Sequence, residues 1–381
     1  MRSLRALRAF ATCAAALALA LLPCCTRSTS PGKSGADTPG TSATSATPGT
    51  SGVSGAAVKP GTSGTPAPAA PRAADRKADY LKVKDKARKW LDGLQVNCAE
   101  LIQNGVKGKK KLTEILDAYL SLDRLAKDPA EKEGIRRRVD ELTLQTKTAE
   151  YHNMATCPDE EFKENSMSYL RTAVLMEELG LDTSHYLREI LAVKPRMDAH
   201  FASRGPWQRA MFAEYYDKFA LEKPAALLGI PMEAGIISKR TPLEKYDDKN
   251  NNTTYDLTHE VFVAFEYGFK RKQDRFSAAD LAYAKDVLPK LIVRYLGRKD
   301  PDLVAELTTC MTYLGWHSDP AYRQGIDYLL DSQNPNGTWG NYERFRPKFG
   351  KYLEHHVYLH TTMVVLESLT EAFEGGWQPA S

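Results

Sequence analysis

Two stretches near the C-terminus decide how this chain is read: Gln333-Asn334-Pro335-Asn336-Gly337-Thr338-Trp339-Gly340, and then Tyr358-Leu359-His360-Thr361-Thr362-Met363-Val364-Val365-Leu366. An amphipathic run ends in a Gln, and the Asn, Pro and Gly residues after it specify a tight turn. Trp339 and Tyr342 then read as wedges, because aromatics after such a turn cover the apolar ends of helices. A new apolar helix opens on His-Thr. Proteins built from rings of paired helices reuse this grammar at each hairpin.

Working outward, apolar residues recur at three- and four-residue spacing over 77–104, 112–127, 130–156, 160–179, 183–203, 206–222, 258–272, 277–297, 302–316, 319–333 and 357–374. Ser277 before Ala278-Ala279-Asp280 is a helix start, as is Asp300-Pro301 before Asp302. No alternating β-branched run is long enough to seed a sheet. The expectation is an all-α protein, with a charged helical N-terminal part over 76–205 and hairpin repeats over 206–377. Asp256-Leu257-Thr258-His259-Glu260-Val261 and Asp302-Leu303-Val304-Ala305-Glu306-Leu307 share an Asp-Leu-x-x-Glu-apolar pattern, and each helix runs on to a Gly, Gly268 or Gly315. Such a period is one helical hairpin. The segment 238–256 reads as a long polar loop. Within it Asp248-x-Asn250-x-Asn252 resembles part of a calcium loop, with Thr253 where the turn Gly belongs.

The stretch 333–340, with Tyr328-Leu329-Leu330 before it, resembles the Gln-Trp repeat of squalene and hopene cyclases. Leu359-His360-Thr361-Thr362 resembles the Tyr-His-Thr helix start of protein prenyltransferase β subunits. Both belong to the α/α-toroid superfamily, so the resemblance, over residues 255–375 at most, implies inner helices ringing a cavity and outer helices enclosing them. In the prenyltransferases the His of that motif is a zinc ligand, which His360 matches. Their Asp-x-Cys helix start is missing here, as is the Asp-rich motif of the cyclases, so terpene cyclisation is not implied.

A toroid of this kind would gather the N-termini of its inner helices around one mouth of the cavity. His259, Glu306 and His360 each lie near such a start, and two imidazoles with one carboxylate form a zinc ligand set that leaves a position for water. Cys310, one turn beyond Glu306, could join or replace it as a ligand. Asp256 and Asp302 read as N-caps. Glu260 points about 100° away from His259 and is a candidate base. Taken singly, each of these residues has an ordinary structural role. The His355-His356 pair reads as lining a surface or rim. No nucleophile elbow, phosphate loop or dinucleotide fingerprint is present. The leading expectation is a metal-assisted hydrolase or transferase. A metal-free envelope enzyme of the polysaccharide lyase or glycosidase kind, and a non-catalytic helical scaffold, are the alternatives.

Residues 1–25 read as a secretory signal, with Arg2, Arg5 and Arg8 before the apolar run Ala9 to Leu22. The run ends in Leu22-Pro23-Cys24-Cys25, which resembles a bacterial lipoprotein signal with Cys25 as the acylated residue, and Thr26 after it favours the outer membrane. Residues 26–75 are a tether of Ser, Thr, Gly, Ala and Pro that cannot bury a core, averaging roughly 35–40 Å end to end. The formal charge of +4 falls to about +1 without the three leader arginines, so no basic field attracts nucleic acid. The run Lys107-Gly108-Lys109-Lys110-Lys111 reads as a solvated loop. Cys98 and Cys157 could pair in an oxidising periplasm, leaving Cys310. Replacing both Cys24 and Cys25 by Ser should move the protein from the membrane fraction to the soluble one. Unchanged membrane association of that variant would overturn the anchor.

Overall fold

The computed structural model describes residues 76–104, 106–229, 234–247 and 251–378. The leader, Cys24, Cys25, the tether, and Asp248 and Asn250 of the calcium-like loop lie outside the described residues. Thirteen α-helices and no strand occur among the described residues, as the helical periodicity requires. They are α1 (Lys77–Gly93), α2 (Cys98–Gln103), α3 (Gly108–Leu125), α4 (Pro129–Thr143), α5 (Asp159–Glu178), α6 (Ser184–Asp198) and α7 (Pro206–Lys218). After these come α8 (Asn252–Ala264), α9 (Ala278–Arg298), α10 (Pro301–Tyr313), α11 (Pro320–Asp331), α12 (Arg346–Phe349) and α13 (Leu359–Glu374). None of them is long and apolar enough to cross a membrane.

Six helices contact one another in a closed circuit: α3 packs on α5, α5 on α7, α7 on α8, α8 on α10, α10 on α13, and α13 back on α3. Contacts at two levels show that neighbours run in the same direction. Glu114 meets His360 at one end of the α3/α13 pair and Arg124 meets Glu371 at the other. Thr258 meets Glu306 midway along α8 and α10, and Phe265 meets Tyr313 at their ends. Parallel neighbours need return segments, and several other helices lie against the circuit: α4 on α3, α6 on α5, α9 and α11 on α10, α1 on α13. Helices from both sides of residue 205 therefore share one body.

Helix starts explain several differences from the sequence reading. Asp300 caps α10 through Leu303 N at 3.3 Å, with Pro301 in the first turn, so Asp302 is not the cap and is buried inside the helix. Asp256 is not a cap either. α8 begins at Asn252, after a left-handed Asn251, and Asp256 accepts from Trp207 Nε1 at 2.8 Å. The lysine run is no loop: it opens α3, and Lys109 and Lys111 are buried. Burial is tolerated because each ammonium has partners, Glu150 O and Asn153 Oδ1 for Lys109, and Glu114 Oε2 at 2.8 Å for Lys111. Cys98, Cys157 and Cys310 are all free and buried, so no Cys98–Cys157 bridge forms. The first two thiols point at backbone carbonyls instead, Gly108 O and Met154 O.

The turn quoted at the outset ties the two ends of the body together. Gln333 Nε2 donates to Val83 O of α1 at 2.9 Å, and Asn334 Nδ2 donates to Gly340 O at 2.9 Å. Gly337 has φ +96°, and a Cβ there would lie 2.4 Å from Lys86 O, so only Gly lets the turn dock on α1. Trp339 is fully buried and donates from Nε1 to Leu329 O at 2.7 Å, the wedge expected of it. Replacing Trp339 by Ala should cost about 3–5 kcal/mol, read as a lower urea midpoint at unchanged helix content. A change below 1 kcal/mol would show that the turn does not hold α1.

Candidate metal centre and cavity

The six helices of the circuit enclose a cavity of about 750 Å³. Each helix contributes a stripe at three- and four-residue spacing, such as His360, Val364, Glu367 and Glu371 on α13 and Glu306, Thr309 and Tyr313 on α10. From His360 to Glu371 the helix rises roughly 16 Å. The solvent-exposed lining residues are Glu178, Asp217, Lys218, Glu266 and Phe269, all at the C-terminal ends of α5, α7 and α8. The cavity thus opens there, and the N-terminal ends converge on its floor and not, as the sequence reading had it, on its mouth.

His259, Glu306 and His360 all line this cavity. The group whose ligand atoms lie together, however, is Asp302, Glu306 and His360, within 4.8 Å of one another. Asp302 and Glu306 are one turn apart on α10, and both are buried. Tyr255 Oη donates to Asp302 Oδ2 at 2.6 Å, and Thr258 Oγ1 donates to Glu306 Oε2. His360 Nε2 is 3.6 Å from Asp302 Oδ1, and its Nδ1 is 3.4 Å from Glu114 Oε1. None of these last atoms completes a hydrogen bond: Asp302 Oδ1, Glu114 Oε1 and His360 Nδ1 are all buried without one among the described residues. An Asp/Glu/His triad of this kind could hold a metal ion.

The electrostatics fit that capacity. Burial, then Asp302, push the Glu306 carboxyl up to about 8, so with no cation present it holds a proton. Burial would lower His360, but Asp302 and Glu114 outweigh it and raise the imidazole. Glu114 itself is held well below the usual carboxylate range, because Lys111 and Lys110 overcome its burial. A cation among Asp302, Glu306 and His360 would take the place of the proton on Glu306.

His259 stands beside the triad rather than in it. Its Nδ1 donates to Tyr255 O at 2.7 Å, and lies 3.8 Å from Glu306 Oε2. Burial lowers this imidazole to about 3, so it is neutral, and donation from Nδ1 leaves Nε2 as an acceptor. Trp207 packs on its ring at 4.5 Å. Cys310 does not reach the site. Four residues advance a helix by 40° beyond a full turn, and its thiol points at Thr258 O on α8. His355 Nε2 donates to Gln95 O, 2.7 Å away, and His355 is not among the residues that line the cavity.

Glu260 is not a base for this cavity. Its two carboxylate oxygens accept from Ile236 N at 2.6 Å and Ile237 N at 3.0 Å, holding the segment before α8. The cavity-facing positions pair His259 with Glu306 and Phe262 with Thr309, one residue out of register with the sequence repeat. That slip turns Glu260 outward by about 100°. Sequence reasoning missed Asp302, Glu114 and the Asp117–Arg171 pair of the middle wall, which is bidentate at 2.8 and 2.9 Å. The i, i+4 spacing of Asp302 and Glu306 was the signal available for the first of these.

Most of the chain, residues 81–366, matches the model of a family described as a domain of unknown function, DUF6895, and the chain belongs to that family. No curated protein and no solved structure matches it. Replacing Glu260 by Ala should leave two backbone N–H groups unpaired and cost about 1–3 kcal/mol of stability, measured by urea unfolding, without changing what the cavity binds. Loss of ligand or metal binding at unchanged stability would return Glu260 to the site.

Proposed function

We propose that the protein is an exported, lipid-anchored α/α-toroid enzyme, in which a divalent ion held by Asp302, Glu306 and His360 supports hydrolysis or group transfer through a bound water. Zinc is the leading ion, since it takes carboxylate oxygen and imidazole nitrogen together. The observation that carries this reading is the triad of two buried carboxylates and a half-buried imidazole, whose ligand atoms lie within 4.8 Å of one another, with Asp302 Oδ1 short of a hydrogen bond. Glu114 supports it as the carboxylate behind His360, the arrangement that orients metal-bound imidazoles. His259, neutral and with Nε2 free of the Tyr255 bond, would serve as a fourth ligand or take a proton from the water.

The toroid reading rests on the closed circuit of six parallel neighbours with other helices packed outside it. The export and anchor reading rests on the sequence before residue 76, which would hold the body at the bacterial envelope on a flexible tether. The lining carries nine acidic side chains against three lysine or arginine side chains, Lys110, Arg171 and Lys218. An anionic polysaccharide would find few counter-charges there, which disfavours the lyase alternative. A cavity of about 750 Å³ is more than a scaffold requires.

The test is elemental analysis of the body, purified without a His tag and without chelator, reading zinc, manganese and iron together. About one ion per chain is expected. Asp302→Asn and His360→Ala should each lose most of it at unchanged helix content, and Cys310→Ser should keep it. A metal-free wild type, or full metal in the Asp302→Asn/His360→Ala double variant, would overturn the centre.

A further inference from the structure

Halfway up the cavity wall the charges do not balance. Asp117 is engaged by Arg171 through two hydrogen bonds, and that guanidinium stacks on Tyr267 at 4.1 Å. Glu371 is engaged by Arg124, which also donates to Gly268 O at 3.2 Å, and by Trp377 Nε1 at 2.7 Å. Both guanidinium groups are thereby taken up. Glu367, between these pairs on the cavity stripe of α13, has no hydrogen bond or ion pair among the described residues. Burial, then Asp117, hold its carboxyl well above the ordinary range, the sign of an acid short of a cation.

The cavity also carries an aromatic patch, and Tyr313 of that patch lies within electrostatic reach of Glu367. Phe262 lies 5.9 Å from Tyr267 and 6.1 Å from Tyr313, ring centre to ring centre, and all three line the cavity. Aromatic faces beside a carboxylate suit an ammonium group, which the rings attract through their quadrupoles. A dicarboxylate or phosphate would meet a lining in which acidic side chains outnumber lysine and arginine nine to three. Along α13, Glu367 stands about 10 Å above His360, so an amine held there could extend a short chain to the floor.

We infer that the cavity accepts a ligand bearing an ammonium group, with Glu367 as its counter-ion and Phe262 and Tyr313 beside the charge. This deepens the reading of the cavity as a substrate site, and it does not depend on the metal. The measurement is calorimetric titration of the full protein with pentylamine, 1-pentanol and pentanoate, a series of one shape and three charges. It is run after chelator treatment and again after adding zinc. In both states pentylamine should bind about tenfold or more tightly than 1-pentanol, and pentanoate should not bind. Glu367→Gln should bring the amine down to the level of the alcohol, with 1-pentanol binding unchanged as the check that the cavity is intact.

Equal affinity for amine and alcohol in the wild type, preference for pentanoate, or no binding of the amine would overturn the inference. Full amine affinity in Glu367→Gln would do so as well. Should that variant fail to fold, the charge series on the wild type still decides. A metal-free wild type removes the metal centre alone, and amine binding under chelator removes or keeps this inference alone, so the two failures are separable.

Discussion

The cavity exists because α3, near the start of the described chain, closes against α13 at its end. Two charge contacts cross that seam, Glu114 with His360 toward the floor and Arg124 with Glu371 toward the mouth. Buried ion pairs add little net stability, because desolvation offsets their attraction, but separating one partner from the other is expensive. Contacts at both ends therefore penalise any slip of α13 along α3 more than they strengthen the packing. That register puts His360 level with Asp302 and Glu306, and the floor depends on it. The turn at 333–340 works on the same closure from outside, bonding α1 beside the last hairpin through Gln333 and Val83 O.

The seam also explains why ionisable groups survive burial at the floor. Six helices run the same way around the cavity, so their N-terminal ends and partial positive charges gather there. Asp302 lies in the first turn of α10, and Glu114 in the second turn of α3, where that field favours carboxylates. The lysines that open α3 add to it. Lys111 neutralises Glu114 at 2.8 Å and so keeps it ionised behind His360. Glu306, deeper and beside Asp302, lacks such a partner and is pushed to about 8. One site thus holds an ionised carboxylate next to a proton-holding one, the asymmetry from which acid–base or metal chemistry starts.

How much of this was legible in the sequence follows from what periodicity can and cannot carry. The all-α class and most helix positions came from apolar spacing, and Trp339 and His360 came from their places after a turn and at a helix start. The triad was half visible. Glu306 and His360 were named, but Asp302 was assigned to a cap that Asp300 provides, since two aspartates flanking Pro301 look alike in sequence. Glu260 was misplaced because a repeat matched by letters can be one residue out of step with the repeat of facing positions, and one residue is about 100° of helix; Cys310 was misplaced because four residues overshoot a full turn by about 40°. The lysine run hid Glu114, because a cluster of ammonium groups reads as solvated until partners brought from residues 150–153 and from the next turn are known. Glu367 carried no sequence signal at all. Its character comes from two arginines already committed to Asp117 and Glu371, which only the fold reveals.

The opposite end of the cavity completes the electrostatic pattern. If N-terminal ends gather at the floor, the C-terminal ends, with their partial negative charges, surround the mouth, and exposed Glu178, Asp217 and Glu266 sit among them. Lys218 is tied to Glu178 there and does not reverse the sign. Just beyond α8, Glu266 and Tyr267 both adopt left-handed backbone, at φ +48° and +51°, a conformation held only where its surroundings fix it. Here it is fixed by what Tyr267 does: its ring faces the Arg171 guanidinium, and Gly268 beside it accepts from Arg124. The strained turn thereby keeps both arginines occupied with the wall. A negative mouth and a wall whose cations are committed draw positive groups into the outer and middle cavity, while the positive helix ends at the floor favour the carboxylates held there.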